Sequence, residues 1–362
     1  MFAETGGRAV SSKILHVCNL EKFIPPFTDF IEDNFSLDDH FFWLNGDHDK
    51  YPVKQYKSNY KVKRTKTGQV KGLLKLVQLM QVSEKVILHG LSNSKIILIL
   101  FFMPWLLKKC YWVMWGGDLY VHKLGEKNLK WKLREFFRRP VIKNMGHLVT
   151  YIPGDVELAR QWYGAKGKHH ECLMYLSNVV DPNIVQAAQE KTEGHTSINI
   201  LVGNSADPSN NHIESLEKLL PYKEDEIKIF VPLSYGDQEH AKKVIETGNA
   251  WFGDKFVPLT SFMAFDEYLK FLKSLDIAIF NHQRQQAMGN TIMLLGMGKT
   301  VFMRSGVSHW RFLKGLGIKL NDVEKLELCR ITTKDAEENA SLIRSYFSRE
   351  NLIRQLNGVL EE

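Results

Sequence analysis

The stretch INILVGNSADPSNNHIESLEKLL, residues 198–220, decides the fold class. Ile198, Ile200, Leu201 and Val202 form a short, β-branched apolar run that suits a strand covered on both faces. Gly203 permits a sharp exit, and Asn204, Ser205, Asp207, Pro208 and Ser209 are residues that turn chains and cap helices. Ile213, Leu216, Leu219 and Leu220 then recur at helical spacing. A strand–loop–helix junction of this kind offers unpaired backbone N–H groups at a helix N-terminus, where anions are stabilised. Asn204, Ser205, Asn210 and His212 are its candidate ligand contacts, although most such turns bind nothing.

A richer copy occupies residues 265–301. Phe265, Tyr268, Leu269 and Leu272 share one helix face, and LDIAIF (275–280) reads as a buried strand. The strand opens into NHQRQQAMGNT, which holds eight polar side chains between two apolar elements. Arg284 supplies a planar fork suited to phosphate. Gln283, Gln285, Gln286, Asn290 and Thr291 add neutral donors, and Gly289 permits close backbone approach before the apolar helix at 292–297. The competing reading is a solvated loop.

Three blocks carry a family resemblance: WGGDLY (115–120), LVGNSADPSNNHI (201–213) and FDEYL…LDIAIFNHQRQQAMGNTIMLL (265–295). They resemble the bacterial TDP-N-acetylfucosamine:lipid II N-acetylfucosaminyltransferases, the 4-acetamido-4,6-dideoxygalactose transferases of enterobacterial common antigen synthesis. The resemblance follows element order over most of the chain and is loose over the first 80 residues. It implies an α/β protein of GT-B type, with two Rossmann-like domains and a cleft between them. It also implies inverting, metal-independent transfer from a TDP-sugar to a polyprenyl-diphosphate-linked glycan at the cytoplasmic face of the inner membrane. Tyr235 lies in a V-P-x-x-Y stretch similar to the family's and becomes a candidate for base or sugar contact; surface packing explains it equally well.

The bulk properties agree with two domains. A chain of 362 residues exceeds one ordinary domain. The four cysteines, Cys18, Cys110, Cys172 and Cys329, are widely spaced without a C-x-x-C pair, as expected of reduced thiols. The first twelve residues lack the layout of a signal peptide.

Charge is uneven. Residues 1–180 carry 27 Lys/Arg against 16 Asp/Glu, and residues 181–362 carry 21 against 25. Residues 51–83 hold eight basic residues and no acidic one. A second basic run, KNLKWKLREFFRRPVIK (127–143), interleaves aromatic residues with cations. It makes Lys130, Trp131, Arg134, Arg138 and Arg139 candidates for contact with an anionic membrane surface or the acceptor. A solvated amphipathic helix explains the run equally well, and no nucleic-acid motif accompanies it. IILILFFMPWLL (96–107) is interrupted by Pro104 and falls short of the ~20 residues that span a bilayer. It is expected to form a buried helix, with shallow insertion at the membrane interface as the alternative reading.

The expected organisation is an acceptor domain over residues 1–180, a linker over 178–197 and a nucleotide-sugar domain over 198–335. A helical tail, 336–362, is expected to return to the first domain. Alternating strands and helices imply parallel units, with ligands at the carboxyl ends of strands.

Rival motifs fail on spacing. GMGKT (296–300) lacks the first glycine of a Walker A loop, since Met293 stands there, and no G-x-G-x-x-G follows the first strand. His169, His170 and Glu171 are too compact for a zinc site. Asp47-His48-Asp49 has the letters of a metal-binding D-x-D but falls in the acceptor half. No metal or cofactor is therefore expected.

Without a metal, a departing diphosphate must be neutralised by a helix N-terminus with cationic and neutral donors. An acceptor hydroxyl must also lose its proton to a base. Asp118, after two glycines at a strand end, is the first candidate base, with a helix N-cap as the alternative reading. His16 and His89, both at strand ends, compete for that role. Two further functions share these features: a non-hydrolysing sugar-nucleotide epimerase, and a basic membrane-binding scaffold without catalysis.

Overall fold

The computed structural model describes residues 13–55, 58–181 and 197–361. The N-terminal dodecapeptide and most of the expected linker lie outside these residues. The described chain forms two compact units, one reaching Leu176 and regaining the chain from Ile353, the other spanning Ser177–Leu352.

The first unit is built on parallel strands β1 (Ile14–Asn19), β2 (His40–Asn45), β3 (Asn59–Lys61), β4 (Lys85–His89), β5 (Cys110–Val113), β6 (His147–Val149) and β7 (Lys168–His170). Their order is β3-β2-β1-β4-β5-β6-β7, so the winding reverses between β1 and β4. The connecting helices are α1 (Ile24–Asn34), α2 (Lys66–Val82), α3 (Ser94–Phe102), α4 (Gly117–Leu124), α5 (Leu129–Lys143) and α6 (Pro153–Tyr163). Leu76, Ile97, Leu100, Val141 and Ile142 from these helices pack with Leu15, Trp43, Val86, Leu88 and Trp112 of the sheet in one apolar cluster.

The second unit repeats the plan with β8 (Ile198–Val202), β9 (Ile227–Pro232), β10 (Phe256–Leu259), β11 (Ile277–Phe280), β12 (Thr300–Met303) and β13 (Asn321–Asp322), in the order β10-β9-β8-β11-β12-β13. Its helices are α7 (His212–Leu219), α8 (Gln238–Phe252), α9 (Phe265–Ser274), α10 (Met288–Gly296), α11 (Ser308–Gly315) and α12 (Thr333–Tyr346). Here the reversal falls between β8 and β11, which pair with Ile279 opposite Val202.

Three expectations are corrected. The 96–107 segment divides: α3 ends at Phe102, and a 3-10 turn, Pro104–Lys109, follows. Pro104 lacks the N–H a continuing helix needs. Leu98, Phe102 and Trp105 are exposed, so the segment is not wholly buried. The tail is two helices, α12 and α13 (Arg349–Leu360). Only its end joins the first unit, where Lys85 donates to the carbonyls of Val359 and Leu360 at 3.2 and 2.8 Å. No helix among the described residues is long and apolar enough to cross a membrane.

Arg138 is the third correction. It is fully buried, ion-paired with Glu135 at 3.1 Å, and it donates to the Tyr163 hydroxyl and the Asp118 carbonyl. It pins α5 to α4 and α6 and meets neither a membrane nor an acceptor. Removing one partner of a buried ion pair costs about 3–5 kcal/mol, because the other charge stays desolvated. Arg138→Leu is therefore expected to lower stability by at least about 3 kcal/mol in chemical denaturation, whereas Lys130→Leu, on the exposed side of the same helix, should change it by less than about 0.5 kcal/mol.

Candidate functional site

In open parallel sheets, ligand-binding loops gather at the carboxyl ends of strands where the winding reverses. In the second unit that position belongs to β8 and β11, and the two polar loops recognised in the sequence emerge there side by side.

The loops are stitched together. Arg284 reaches across to Asp207 at 3.2 Å, with its side chain 19% exposed. The Ser209 hydroxyl donates to Oε1 of Gln286 at 2.8 Å, and Nε2 of Gln286 donates to Oδ1 of Asn204 at 2.9 Å. The Gln283 backbone N–H donates to the Ser209 carbonyl at 3.0 Å. Asn211 Nδ2 donates to the Asn281 carbonyl at 2.8 Å. Burial pushes the Asp207 carboxyl up, but bonds from Ser209 and the Arg284 charge outweigh it and hold the group below its ordinary range. The Asp207 carboxyl is thus ionised at neutral pH.

Both loops enter their helices through a left-handed residue, Asn211 (φ 51°) before α7 and Ala287 (φ 57°) before α10. Neither residue caps its helix with a side chain. Left-handed backbone at a residue other than glycine costs about 1–2 kcal/mol, and such strain concentrates at functional loops.

The sequence candidates divide by accessibility. Arg284, Gln285, Asn204 and Asn290 are partly exposed, and Tyr235 is exposed, its hydroxyl accepting from Asn204 at 3.3 Å. Ser205, Asn210, His212 and Thr291 are buried. Oδ1 of Asn210 accepts from the Asn204 N–H and from the His282 ring, both at 2.9 Å, so this residue shapes the turn from inside. His212 sits under Gly203 against His240, at 3.1 Å. The Thr291 hydroxyl is spent on the Ala287 carbonyl, one turn back in its own helix. Gly289 lies inside α10, where a Cβ would stand 3.0 Å from the Ser177 carbonyl.

The structure adds residues that the motif reading passed over. The Tyr268 hydroxyl bonds to the Asn290 side chain. Arg304, leaving β12, donates from Nε to Oδ1 of Asn281 at 2.9 Å and from Nη2 to both carboxylate oxygens of Glu214 at 2.8 Å. His282 and His309 are fully buried beneath the loops.

In the first unit, His16 and His89 belong to a buried chain. His16 bonds His89 at 3.0 Å and His40 at 2.9 Å, and His89 bonds the Tyr175 hydroxyl at 2.6 Å. That hydroxyl also accepts from the Trp115 indole at 3.0 Å. Asp118 is buried as well. Its carboxylate accepts from the Leu91 N–H at 2.9 Å, the Trp112 indole at 2.7 Å and the Trp115 N–H at 3.0 Å. The candidate base Asp118 is thus a clamp on the Trp-Gly-Gly turn, and His16 and His89, also buried, are engaged with one another and with their neighbours.

Of the basic-run candidates, Lys130 and Arg139 are exposed. Trp131 and Arg134 are half-buried, donating to the carbonyls of Val121 at 3.0 Å and Ser92 at 3.2 Å.

Two doubly wound parallel sheets of this kind form the GT-B architecture. Solved structures agree on the fold. HepE of Anabaena, in complex with UDP and glucose, superposes with a TM-score of 0.67 at 10% identity, covering 97% of this chain and 100% of that one. WaaG, a glycosyltransferase involved in lipopolysaccharide biosynthesis, gives 0.62 at 10% identity over 96% and 98%. The sucrose-phosphate synthase of Thermosynechococcus elongatus gives 0.67 at 10% identity over 96% and 98%. The family model described as 4-alpha-L-fucosyltransferase, glycosyl transferase group 56, matches residues 36–331. The chain belongs to that family, in agreement with the fucosaminyltransferase resemblance.

Two outcomes follow. Gly203 has φ +70°, and a Cβ there would lie 2.7 Å from the His212 ring and 2.9 Å from Asn210. Gly203→Ala is expected to cost about 2 kcal/mol or more in denaturant unfolding. The second concerns acid. Burial holds His40 at about 4 and His89, His212 and His309 at about 3, and it lowers His16 and His282 well below the ordinary imidazole value. These imidazoles are neutral when folded and take up protons on unfolding below the free value of about 6.5. Their stabilisation is complete above that value and is lost as pH falls toward their folded values. Between pH 7.5 and 5.5 each of His40, His89, His212 and His309 loses about 1.4 kcal/mol, or about 3 kcal/mol for the two in each unit. Unfolding followed at the two pH values tests this.

Proposed function

We propose that the protein transfers 4-acetamido-4,6-dideoxygalactose from a TDP-sugar to an undecaprenyl-diphosphate-linked saccharide, with inversion, in cell-surface polysaccharide synthesis. The second unit binds the donor, and the first, which carries the basic excess, faces the acceptor and the cytoplasmic surface of the inner membrane. The supporting observation is Arg284, a mostly buried guanidinium at the reversal point, beside the N-terminus of α10 and tied to Asp207 at 3.2 Å. The family match supports the sugar class, and the UDP bound by HepE supports a nucleoside diphosphate.

In the proposed reaction an acceptor hydroxyl oxygen attacks the anomeric carbon from the face opposite the nucleotide. The new C–O bond forms as the bond from that carbon to the β-phosphate oxygen breaks. Negative charge grows on the departing diphosphate and is met by Arg284, Gln285, Asn290 and the helix N–H groups. Tyr235 and Asn204 flank the base or sugar. The hydroxyl proton is lost to a base other than Asp118, His16 or His89, since all three are buried and engaged. Charge neutralisation by side chains and N–H groups makes the reaction independent of a divalent metal.

Arg284→Ala is expected to lower transfer about 10²–10³-fold, the usual loss on removing a donor aimed at a developing anion. Thermal shifts complete the test: TDP should stabilise the protein more than UDP or GDP, and EDTA should leave both shift and transfer unchanged. Consumption of the sugar nucleotide without any acceptor would instead identify an epimerase.

A further inference from the structure

The face shared by α3, the turn after it and α5 is apolar where solvent should favour polar residues. Leu98, Phe102 and Trp105 from the first two elements, and Leu129, Leu133 and Phe136 from α5, all point outward. Phe102 is 68% exposed, Trp105 61%, Leu133 62% and Phe136 65%. These residues are set on a rigid frame. Phe101 packs between the helices, its ring 6.1 Å from Phe136 and 5.0 Å from Phe137. Arg134 of α5 ties back to the Ser92 carbonyl at 3.2 Å.

Spacing explains why the side chains emerge together. Leu98 and Phe102 are four apart, and Leu129, Leu133 and Phe136 follow at four and three, so each set shares one helix face. Soluble surfaces rarely gather large apolar side chains without a use for them.

The surrounding charge is of one sign. Residues 92–143 contain eleven Lys/Arg and three acidic residues, and two of the acids, Asp118 and Glu135, are buried. Lys95, Lys108, Lys130 and Lys132 are exposed on the same elements. Apolar side chains ringed by lysines match an anionic lipid interface, where the chains enter the acyl boundary and the ammonium groups meet phosphates. Nucleic acid would use the lysines but gains little from Leu98, Leu129 and Leu133. A second copy of this chain would bring like charges together.

We infer that this two-element face is a membrane-docking surface, seating the first unit on an anionic bilayer by shallow insertion of Phe102, Trp105, Leu133 and Phe136. Only the outer side of α5 takes part, since Arg138 is buried and Trp131 and Arg134 are turned into the protein. The inference rests on the lipid-linked acceptor reading and gives it physical form, and its deciding readout is vesicle binding, which does not depend on transfer.

The full chain is mixed with vesicles of phosphatidylcholine alone or with 30% phosphatidylglycerol (a chosen composition of about a third anionic lipid), and bound protein is measured by sedimentation. Binding to the anionic vesicles, with a blue shift of tryptophan emission, is expected. The exposed double variant F102S/F136S should lower partition at least about tenfold. K95E/K132E should lower it at least about tenfold on anionic vesicles and leave the weak binding to neutral ones unchanged. Both variants should keep the parent's melting temperature and its transfer to a short-chain, water-soluble acceptor analogue. Arg284→Ala should bind vesicles like the parent, so failure of the donor-site reading leaves this result standing. Equal binding by F102S/F136S and the parent overturns the inference. So does retention of a duplex oligonucleotide in place of vesicles, or a concentration-dependent dimer that F136S dissolves.

Discussion

Arg284 and Asp207 hold together two loops that neither strand alone would order. Each loop leaves a fully buried strand and must turn within a few residues into an apolar helix, placing polar backbone and side chains over a dry core. Such groups are stable only when each finds a partner. Here the partners come from the other loop: carboxylate to guanidinium, serine to glutamine, glutamine to asparagine. The ion pair also keeps a mostly buried cation neutralised. A diphosphate offers the same guanidinium more oxygens in the same planar geometry, so it competes with the carboxylate on favourable terms. In the proposed reading the loop is therefore built before the donor arrives, and binding exchanges one anion for another.

Burial governs the rest of the polar chemistry. The His40–His16–His89–Tyr175 chain and the His212 and His282 cluster lie beneath strand ends, where ionised rings lose far more hydration than their neighbours return. They act as neutral hydrogen-bonding struts. Asp118 plays a related part for the Trp-Gly-Gly turn, its carboxylate surrounded by three N–H donors. The family's WGGDLY block thus reads as architecture: the aspartate fixes Trp115, and Trp115 in turn contacts Tyr175.

Periodicity carried much of the fold into view. The apolar runs of β1, β4, β8 and β11 and the two polar loops after β8 and β11 stand out because strand and helix repeats differ so sharply. β3, β7 and β13 were not legible: at three residues or fewer, they are fixed by neighbours instead of by their own pattern. Arg284, Gln286 and Asn204 were legible as donors, but whether a polar residue faces outward or pins its own loop depends on partners distant in sequence. Asn210 meets His282, seventy-two positions away, and Asp118 meets Leu91 across the sheet. The basic run misled for a simpler reason. Arg138 lies three residues after Glu135 on the inner side of α5, while Leu129, Leu133 and Phe136 take the outer side.

The direct test of the donor-site account is a crystal structure of the protein soaked with TDP. The account predicts the diphosphate within hydrogen-bond distance of the Arg284 guanidinium and the first N–H groups of Met288–Gly296, with the Asp207 carboxylate displaced. A nucleotide bound elsewhere, with the Arg284–Asp207 pair intact, would contradict it.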